Sequence, residues 1–417
     1  MRLTIRSAAH IILSATLATI LTGQTVLAQN SLPQDLSLRD AIQSTLTHRP
    51  ELRAVAQTYQ SSLQMRRQAG LIPNPHLFYQ MENLRPDMDF GQGIDIYAYV
   101  NQMWEVSGKR GARIATAESG VHHSQLTSEQ QKRVIELAVA QSYWDALRLQ
   151  YLSILAEQSV GYYREILDYH AKRFNEGKIA AVDLLRIRLE EARAEANMES
   201  SRLMEAEAKQ RLAREMGLPE AGNWRLSEPF EVLNPPKEPP TVVNPENERI
   251  EVKLAQQAID AARANLMVQK AQGRPDLDTA FGYKRTGGLN TMIAGVQMNL
   301  PFFNRNQGAT AAAKFDIQAN AATLQAVQQQ SASELKLARM SYETWRRQVS
   351  ERYRPLLDQA VDIANISLAA YREGGIDLLR LLDAEKLRLD TQSAWVDALG
   401  NYHQSVLSLE YANGLEP

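Results

Sequence analysis

Charged side chains one helical turn apart occur in two similar segments of this sequence. Asp183 and Arg186 lie in the first segment, and Asp377, Arg380 and Asp383 lie in the second. A carboxylate and a guanidinium three residues apart on a helix are neighbours that can form an ion pair. The chemistry that these residues offer is therefore reversible ion pairing, above all between Arg380 and Asp383.

The sequence has no pattern for bond-breaking chemistry. It contains no nucleophile–base arrangement, phosphate loop or metal-hydrolase motif. The absence of cysteine excludes disulfides, thiolate nucleophiles and zinc–thiolate sites. His122 and His123 are adjacent, and adjacent helical residues point about 100° apart, so they do not form a chelating pair by themselves. We predict no enzymatic activity, no cofactor and no metal site; a transported-metal site at the two histidines is the alternative.

Composition and the first residues indicate an exported protein. The 417 residues are 44% hydrophobic and carry a formal charge of −2, which argues against a nucleic-acid partner. Residues 1–28 have the pattern of a signal peptide, because Arg2 and Arg6 precede an apolar run that ends in small residues at Ala28. A membrane anchor is the alternative. No later apolar run is long enough for a membrane-spanning helix, so any membrane crossing must be made of strands.

Two very long helices and two glycine turns organise the chain. Apolar residues recur at spacings of three, four or seven over 109–174 and 306–371. Helices of this span are about 100 Å long. Gly177 and Gly374 follow them, and glycine accepts the positive φ with which one helix can end and another begin. Pro355 interrupts the second long helix and predicts a bend there.

Four short segments alternate between polar and apolar residues, which is typical of strands with two different faces. They lie at 76–82, 94–106, 276–284 and 291–300. A helix that begins after the N-cap Ser37 and runs to about Ala69 precedes the first of them. The polar faces predict a side that faces water, formed by Asp95, Tyr97, Asn101, Asp276, Asp278 and Lys284.

The spacing of matching residues indicates an internal duplication. Phe174 and Tyr371 are 197 residues apart, and so are Gly217 and Gly414. The offset is 196 from Val100 to Val296 and 200 from Pro75 to Pro275, and a nearly constant offset of this kind indicates two structural repeats. The predicted division is a signal peptide, a first repeat, a proline-rich linker and a second repeat, at residues 1–28, 29–218, 219–245 and 246–417.

Four strands are too few to cross a membrane alone. Open strand edges are not tolerated in lipid, and membrane barrels need about eight strands or more. Several chains must therefore share one barrel, with two chains giving eight strands and three giving twelve. A small soluble sheet that caps a helical bundle is the alternative.

In its whole plan the sequence resembles the TolC-like outer-membrane efflux family. The resemblance covers nearly all of the chain after residue 28 and rests on the duplicated helix–strand–strand–long helix–helix order. It also rests on the two tip segments, Phe174–Gly177 with Asp183–Leu185, and Tyr371–Gly374 with Leu382–Ala384. The run Gln102–Arg110 resembles the heavy-metal branch, typified by the cobalt–zinc–cadmium efflux outer-membrane component.

The resemblance implies a mainly α fold with a small β part, assembled as a homotrimer. Its twelve-stranded barrel in outer-membrane lipid would continue into a periplasmic α-helical barrel, with residues 219–245 in a belt around it. The implied partners are a periplasmic adaptor (a membrane fusion protein) and an inner-membrane RND pump. The implied function is an exit duct, here for divalent heavy-metal ions. Export of drugs or secreted proteins, or a periplasmic coiled-coil scaffold without a pore, are the alternatives.

The resemblance also implies roles for the two tip segments. The residues of a periplasmic gate would be Asp383, Arg380, Asp377 and Asp183. The surface that meets the adaptor would comprise Phe174, Gly177, Leu184, Leu185, Tyr371, Gly374, Leu378 and Leu379. The alternatives are that the charges belong to ordinary solvated helix surfaces and that the leucines only pack the hairpins.

Overall fold

The computed structural model describes residues 33–84, 93–232, 236 and 249–415. The predicted signal peptide, 1–28, lies outside these residues, and so does most of the second half of the predicted linker. The described chain is mostly helical with a small sheet, which confirms the expected fold class.

The first repeat contains four helices and two long strands. In chain order they are α1 (Leu38–His48), α2 (Pro50–Ala69), β2 (His76–Glu82), β3 (Asp95–Trp104), α3 (Lys109–Asn175) and α4 (Ala181–Glu215). Two short strands, β1 (Asp35–Leu36) and β4 (Arg225–Leu226), flank the repeat and pair in parallel.

The second repeat has the same order of elements. It consists of α5 (Ile250–Gln272), β5 (Leu277–Thr286), β6 (Leu289–Met298), α6 (Gln307–Arg347), a π-helical stretch (Gln348–Tyr353), α7 (Arg354–Arg372) and α8 (Leu378–Ala412). Helix α6, the π-helical stretch and α7 together occupy the place of α3. The duplicated plan predicted from the sequence is confirmed.

The first helical region is broken, and the prediction of one helix from Ser37 to Ala69 is wrong. Ser37 is the N-cap of α1, and its hydroxyl accepts a hydrogen bond of 3.1 Å from the Asp40 amide. Arg49 then adopts an extended conformation because the residue before a proline is disfavoured in the helical region, and Pro50 starts α2. The Arg49 guanidinium donates to the Glu215 carbonyl at the end of α4, 2.9 Å away, which fixes the break.

The second long helix is interrupted just before Pro355, where a bend was predicted. Residues Gln348–Tyr353 are π-helical, and Pro355 lies in the first turn of α7. Proline has no amide hydrogen and clashes with the carbonyl four residues earlier. A π-helical turn is one way in which a helix accommodates such a defect.

The four long strands form one antiparallel sheet in the order β2-β3-β5-β6. The strands lie within two residues of their predicted bounds, and β2 and β6 are the outer strands. Leu77, Val100 and Phe281 lie side by side on one face, and all three are exposed. The other face carries the polar residues together with a Phe78–Tyr99 ring stack. The sheet therefore presents an apolar face to its surroundings.

Two buried clusters hold the helices together. The larger lies midway along the helices, where the Tyr143 hydroxyl donates to the Leu36 carbonyl at 2.7 Å and burial raises its pKa to about 12. The Trp144 and His403 rings stack there with centroids 3.7 Å apart. The smaller cluster lies near the hairpin tips and joins α3, α4, α7 and α8. None of the described helices is long and apolar enough to cross a membrane.

Candidate functional site: the paired hairpin tips

Both long helices end at the tips in the same glycine turn. Gly177 has φ +72°, its amide donates to the Phe174 carbonyl at 2.9 Å, and the Lys178 amide donates to the Arg173 carbonyl at 2.9 Å. These two bonds define a Schellman cap, which needs a left-handed residue after the helix. Gly374 has φ +80° and the second hairpin repeats both bonds. The glycines are required for their backbone conformation, because nothing lies within 4 Å of a Cβ added at either position.

The second helices of the two hairpins begin differently. Asp377 is the N-cap of α8, and its Oδ1 accepts a hydrogen bond of 2.9 Å from the Arg380 amide. The corresponding N-cap of α4 is Ala180, which has no side-chain oxygen and makes no such bond. In the chain itself, the predicted gate residue Asp377 therefore acts as a helix cap.

The other predicted gate residues differ in exposure. Arg380 and Asp383 are both exposed, and within the described residues the chain forms no ion pair between them. Asp183 is half-buried. It lies close enough to the second hairpin for its charge to help raise the pKa of Tyr371, an effect that is mainly due to burial of the phenol. Arg380 and Asp383 are thus available to neighbouring molecules, whereas Asp183 faces its own chain.

A buried histidine connects the two hairpins, and sequence reasoning missed it. His170 of α3 is 1% exposed, and its Nδ1 donates to the Ile166 carbonyl at 2.7 Å. Because a carbonyl can only accept, Nδ1 carries the proton and Nε2 accepts from the Tyr371 hydroxyl at 2.5 Å. The position of His170 four residues after Ile166, on the buried side of α3, was the signal that could have found it.

The predicted docking residues are divided between core and surface. Leu184 and Leu378 are buried and pack the hairpins together. Phe174, Leu185 and Leu379 are exposed. Three of the predicted docking residues therefore give the tips exposed apolar side chains beside exposed charges.

The segment 102–110 holds the sheet on the helices. Arg113 pairs with Glu105 at 2.5 Å and donates to the Ala69 carbonyl at the end of α2. Lys109 pairs with Asp276 at 2.6 Å, which joins the first repeat to the strand entry of the second. In this chain the motif at the end of β3 fixes the junction between strand and helix.

No group of three metal-ligating side chains occurs in the part of the chain that the structure describes. His122 and His123 are both exposed on α3. An exposed histidine pair without a third ligand is a weak position for holding an ion.

This fold is found among solved outer-membrane channels. CusC, whose crystal structures concern folding and transmembrane channel formation, superposes with a TM-score of 0.75 over 94% of this chain and 96% of its own, at 17% identity. The VceC outer membrane protein of Vibrio cholerae gives a TM-score of 0.72 at 19% identity, over 90% of this chain and 96% of its own. Likeness at this identity defines the fold, which is that of the TolC-like outer-membrane channels.

Comparison of the sequence with known families identifies the family of this chain. The model of the outer membrane efflux protein family matches residues 41–218 and 246–415, and the chain belongs to that family. It is 27% identical over 353 residues to the cobalt-zinc-cadmium resistance protein CzcC of Cupriavidus metallidurans, which covers 82% of this chain and 81% of CzcC. The family and the fold are those of outer-membrane channel proteins.

Proposed function

We propose that three copies of this chain form the outer-membrane exit duct of a tripartite efflux system. Each copy contributes four strands, and β2 and β6 are the outer strands of its sheet. Unpaired strand edges are costly in lipid, so the edge of one copy is expected to pair with the edge of the next. Three copies give twelve strands with the apolar face toward lipid, and the hairpins extend into the periplasm as a helical tube.

The observation that carries the proposal is the pair of capped hairpins attached to an apolar-faced sheet in a member of an efflux family. Planar bilayers test it directly. Purified protein should give reproducible single-channel steps of a trimer. A scaffold without a pore would leave the bilayer current at its baseline, and that result would refute the duct.

The partners would be a periplasmic adaptor and an inner-membrane RND pump. The exposed Phe174, Leu185 and Leu379 give the tips an apolar surface on which an adaptor hairpin can pack. Site-specific crosslinking from these positions should capture the adaptor encoded beside the pump. Crosslinking from buried Leu184 serves as the control and should not.

The cargo would be divalent heavy-metal ions. Two relatives support this, the CzcC protein and the nickel-cobalt-cadmium resistance protein NccC of Alcaligenes xylosoxydans xylosoxydans, which is 27% identical over 318 residues. The chain would conduct such ions without a resident site. A deletion strain should become sensitive to zinc, cobalt, nickel or copper and keep its tolerance of drugs. Unchanged metal tolerance would exclude this cargo and leave the duct itself intact.

The gate would lie at the tips, where Arg380 and Asp383 can pair with residues of a neighbouring copy. Exposed ion pairs contribute about 0–1 kcal/mol each, so three symmetry-related sets would form a latch weak enough for a partner to open. Asp383→Asn is expected to raise the open fraction of the channel in bilayers. Lys386→Gln, an exposed charge one turn away, is the control and should leave it unchanged.

A further inference from the structure

The two repeats differ where their second strand joins the long helix. In both, a turn follows the strand: the amides of Val106 and Phe302, 196 residues apart, each donate to the carbonyl two residues earlier at 2.9 Å. The long helices then begin after left-handed N-caps, Gly108 and Asn306, which are 198 residues apart. The connection between turn and helix is therefore two residues longer in the second repeat, where residues 303–305 form it.

The shorter connection is closed onto its own chain. The Ser107 hydroxyl donates to the Pro275 carbonyl at 2.5 Å, and the Lys109 ammonium pairs with the Asp276 carboxylate at 2.6 Å. Both side chains use their polar groups to hold the strand entry of the second repeat. The polar groups of this connection thus have their partners inside the protein.

The longer connection is fixed by contacts with the end of α5. The Asn306 side-chain amide donates to the Gln269 carbonyl at 2.9 Å, and the Arg305 guanidinium donates to the Pro301 carbonyl at 3.3 Å. The Arg305 carbonyl lies so close to Gly273 that a Cβ added there would be 2.3 Å away from it. The fold therefore sets the direction in which this connection presents its side chains.

Two phenylalanines of the longer connection are uncovered. Phe302 is 68% exposed and Phe303 is 94% exposed. They follow Val296, Met298 and Leu300, which are exposed apolar side chains at the end of β6 and just after it. Leaving a phenylalanine in water instead of burying it costs about 1.5–3 kcal/mol. The apolar surface of the sheet therefore continues into the connection, and it favours an apolar occupant.

Two exposed arginines lie at the same corner of the molecule. Neither Arg305 nor Arg274 forms an ion pair within the part of the chain that the structure describes. Arg274 follows Gly273 directly, and Gly273 lies against the Arg305 carbonyl, so the two backbones meet. Asp276, the acid closest in sequence to Arg274, is already paired with Lys109. Two guanidinium groups side by side favour an anion with several oxygens, above all phosphate.

We propose that Arg274 and Arg305 bind the phosphate of an anionic phospholipid at the periplasmic surface of the outer membrane. The two phenylalanines of the longer connection lie among the acyl chains of the same lipid. The inference rests on the proposed function, because it takes the apolar face of the sheet to be in lipid.

A phospholipid is the occupant because its phosphate and its acyl chains meet at one level of the membrane. The site has the same order, with exposed apolar side chains on the strand side and exposed arginines on the helix side. Exposed Trp104 also lies at this end of the sheet, and aromatic side chains mark the level of the head groups in membrane barrels. Clustered cations near that level attract anionic head groups.

Native mass spectrometry of the protein purified in detergent tests the site. Dioleoylphosphatidylglycerol is the anionic probe, and dioleoylphosphatidylcholine, with the same acyl chains and no net charge, is the reference. The wild type should retain the anionic lipid roughly tenfold more tightly, which is the effect of one hydrogen bond between charged groups. Glycerol phosphate without acyl chains should not compete, and competition by it would assign the site to a soluble phosphate.

The arginines and the phenylalanines should act on different parts of the lipid. Arg274→Gln with Arg305→Gln should remove the preference for the anionic lipid. Phe303→Ser should weaken the retention of both lipids equally, because their acyl chains are the same. An arginine variant that keeps the full preference would overturn the site.

Matched control variants lie further along the second long helix. Arg347→Gln with Arg352→Gln removes the same charge from exposed positions about 60 Å away and should keep the preference. Phe315→Ser removes a ring as exposed as that of Phe302 and should keep the retention of both lipids. Losses in these controls equal to those in the site variants would contradict a local site.

Failure of the site and failure of the proposed duct give different results. A wild type that retains the two lipids equally, while bilayers still show trimer channels, would overturn the lipid site and leave the duct standing. Preference for the anionic lipid in a protein that gives no channel steps would refute the duct and support the site. A photo-crosslinking amino acid in place of Phe303 should label lipid in outer membranes. Label on a second copy of the chain would overturn the proposal and assign the connection to a contact between protomers.

Discussion

The two hairpins share one backbone design and carry opposite charges at several equivalent positions of their second helices. Asp183 and Arg186 of the first occupy the positions of Arg380 and Asp383 in the second, 197 residues further on. The reversal continues along the helices, where Arg188, Glu191 and Arg193 correspond to Glu385, Arg388 and Asp390. The glycine caps, by contrast, match bond for bond.

The difference shows which features of the hairpin its fold requires. A Schellman cap needs a residue that accepts positive φ, so glycine occupies it in both copies. Exposed charges such as Arg380 and Asp383 contribute little to the fold and are free to differ, whereas Glu385 is 3% exposed and pairs with Arg388 within the chain. In the proposed trimer, first and second hairpins would alternate around the mouth, so neighbouring tips would attract each other.

The largest effect on adaptor docking is expected at the glycine turns, which are alike in the two hairpins. Gly177→Pro and Gly374→Pro each replace a positive φ by one near −65° and remove the amide that caps the helix, at a local cost of about 3 kcal/mol or more. Adaptor docking should be lost while trimers persist, as crosslinking and native gels can measure. Gly177→Ala, with a strain of about 1–2 kcal/mol, should weaken docking only in part. Efficient capture of the adaptor by both proline variants would contradict the role of the turns.

A smaller effect is expected from the contact that joins the hairpins. Tyr371 corresponds to Phe174, so Tyr371→Phe makes the second hairpin resemble the first. The change leaves the buried Nε2 of His170 without its donor, which should destabilise the tips by about 1–2 kcal/mol. Hydrogen exchange of the α3 and α7 amides near the tips measures this. Ser367→Ala, at the position equivalent to His170, is the control, and a loss equal to that of Tyr371→Phe would contradict the assignment.

The N-caps of α8 and α4 can be tested in opposite ways, by removing the capping side chain from α8 and by adding one to α4. Asp377→Ala should destabilise the first turn of α8 by about 1 kcal/mol, because an alanine cannot accept from the Arg380 amide. Ala180→Asp should stabilise the first turn of α4 by a similar amount. Amide exchange in each first turn is the readout. If Asp377→Ala instead changed channel opening with no change in exchange, the residue would belong to the gate.

The smallest effect is expected at His403, which lies midway along the helices and far from the tips. Burial lowers the pKa of His403, and its hydrogen bond to the Phe230 carbonyl opposes this only in part. An unfolded histidine titrates near 6.5. The stability that neutral His403 contributes is therefore present above pH 6.5 and is lost as the pH falls from there toward the lower folded pKa. Thermal unfolding between pH 7.5 and 5 should show this slope, and His403→Gln should flatten it.

The plan of the fold could be predicted because it depends on local patterns. Apolar spacing of three and four predicted the long helices, alternation predicted the strands, and Gly177 and Gly374 predicted the turns. The break at Pro50 was missed, although the proline that forces Arg49 out of the helix is visible in the sequence. The apolar spacing is helical on both sides of Pro50, so it predicted one continuous helix although the residue before a proline is disfavoured in the helical conformation.

The site was less predictable because its contacts cross between repeats. His170 and Tyr371 are 201 residues apart, and no local pattern indicates that the histidine accepts a hydrogen bond from the tyrosine. The leucines illustrate the same limit: Leu184 and Leu185 are adjacent, but one is buried and the other exposed. Which of them faces a partner depends on how the two hairpins lie together, which spacing within one helix does not determine.

The short parallel pair of β1 and β4 imposes an order of events on a chain that is made from its N-terminus. Asp35 and Leu36 find their partners only at Arg225 and Leu226, and the Tyr143 hydroxyl that binds the Leu36 carbonyl also accepts from the amides of Ser227 and Glu228. The β1–β4 pair can thus form only after more than half of the polypeptide has been delivered. Its closure marks the moment at which the first repeat is complete.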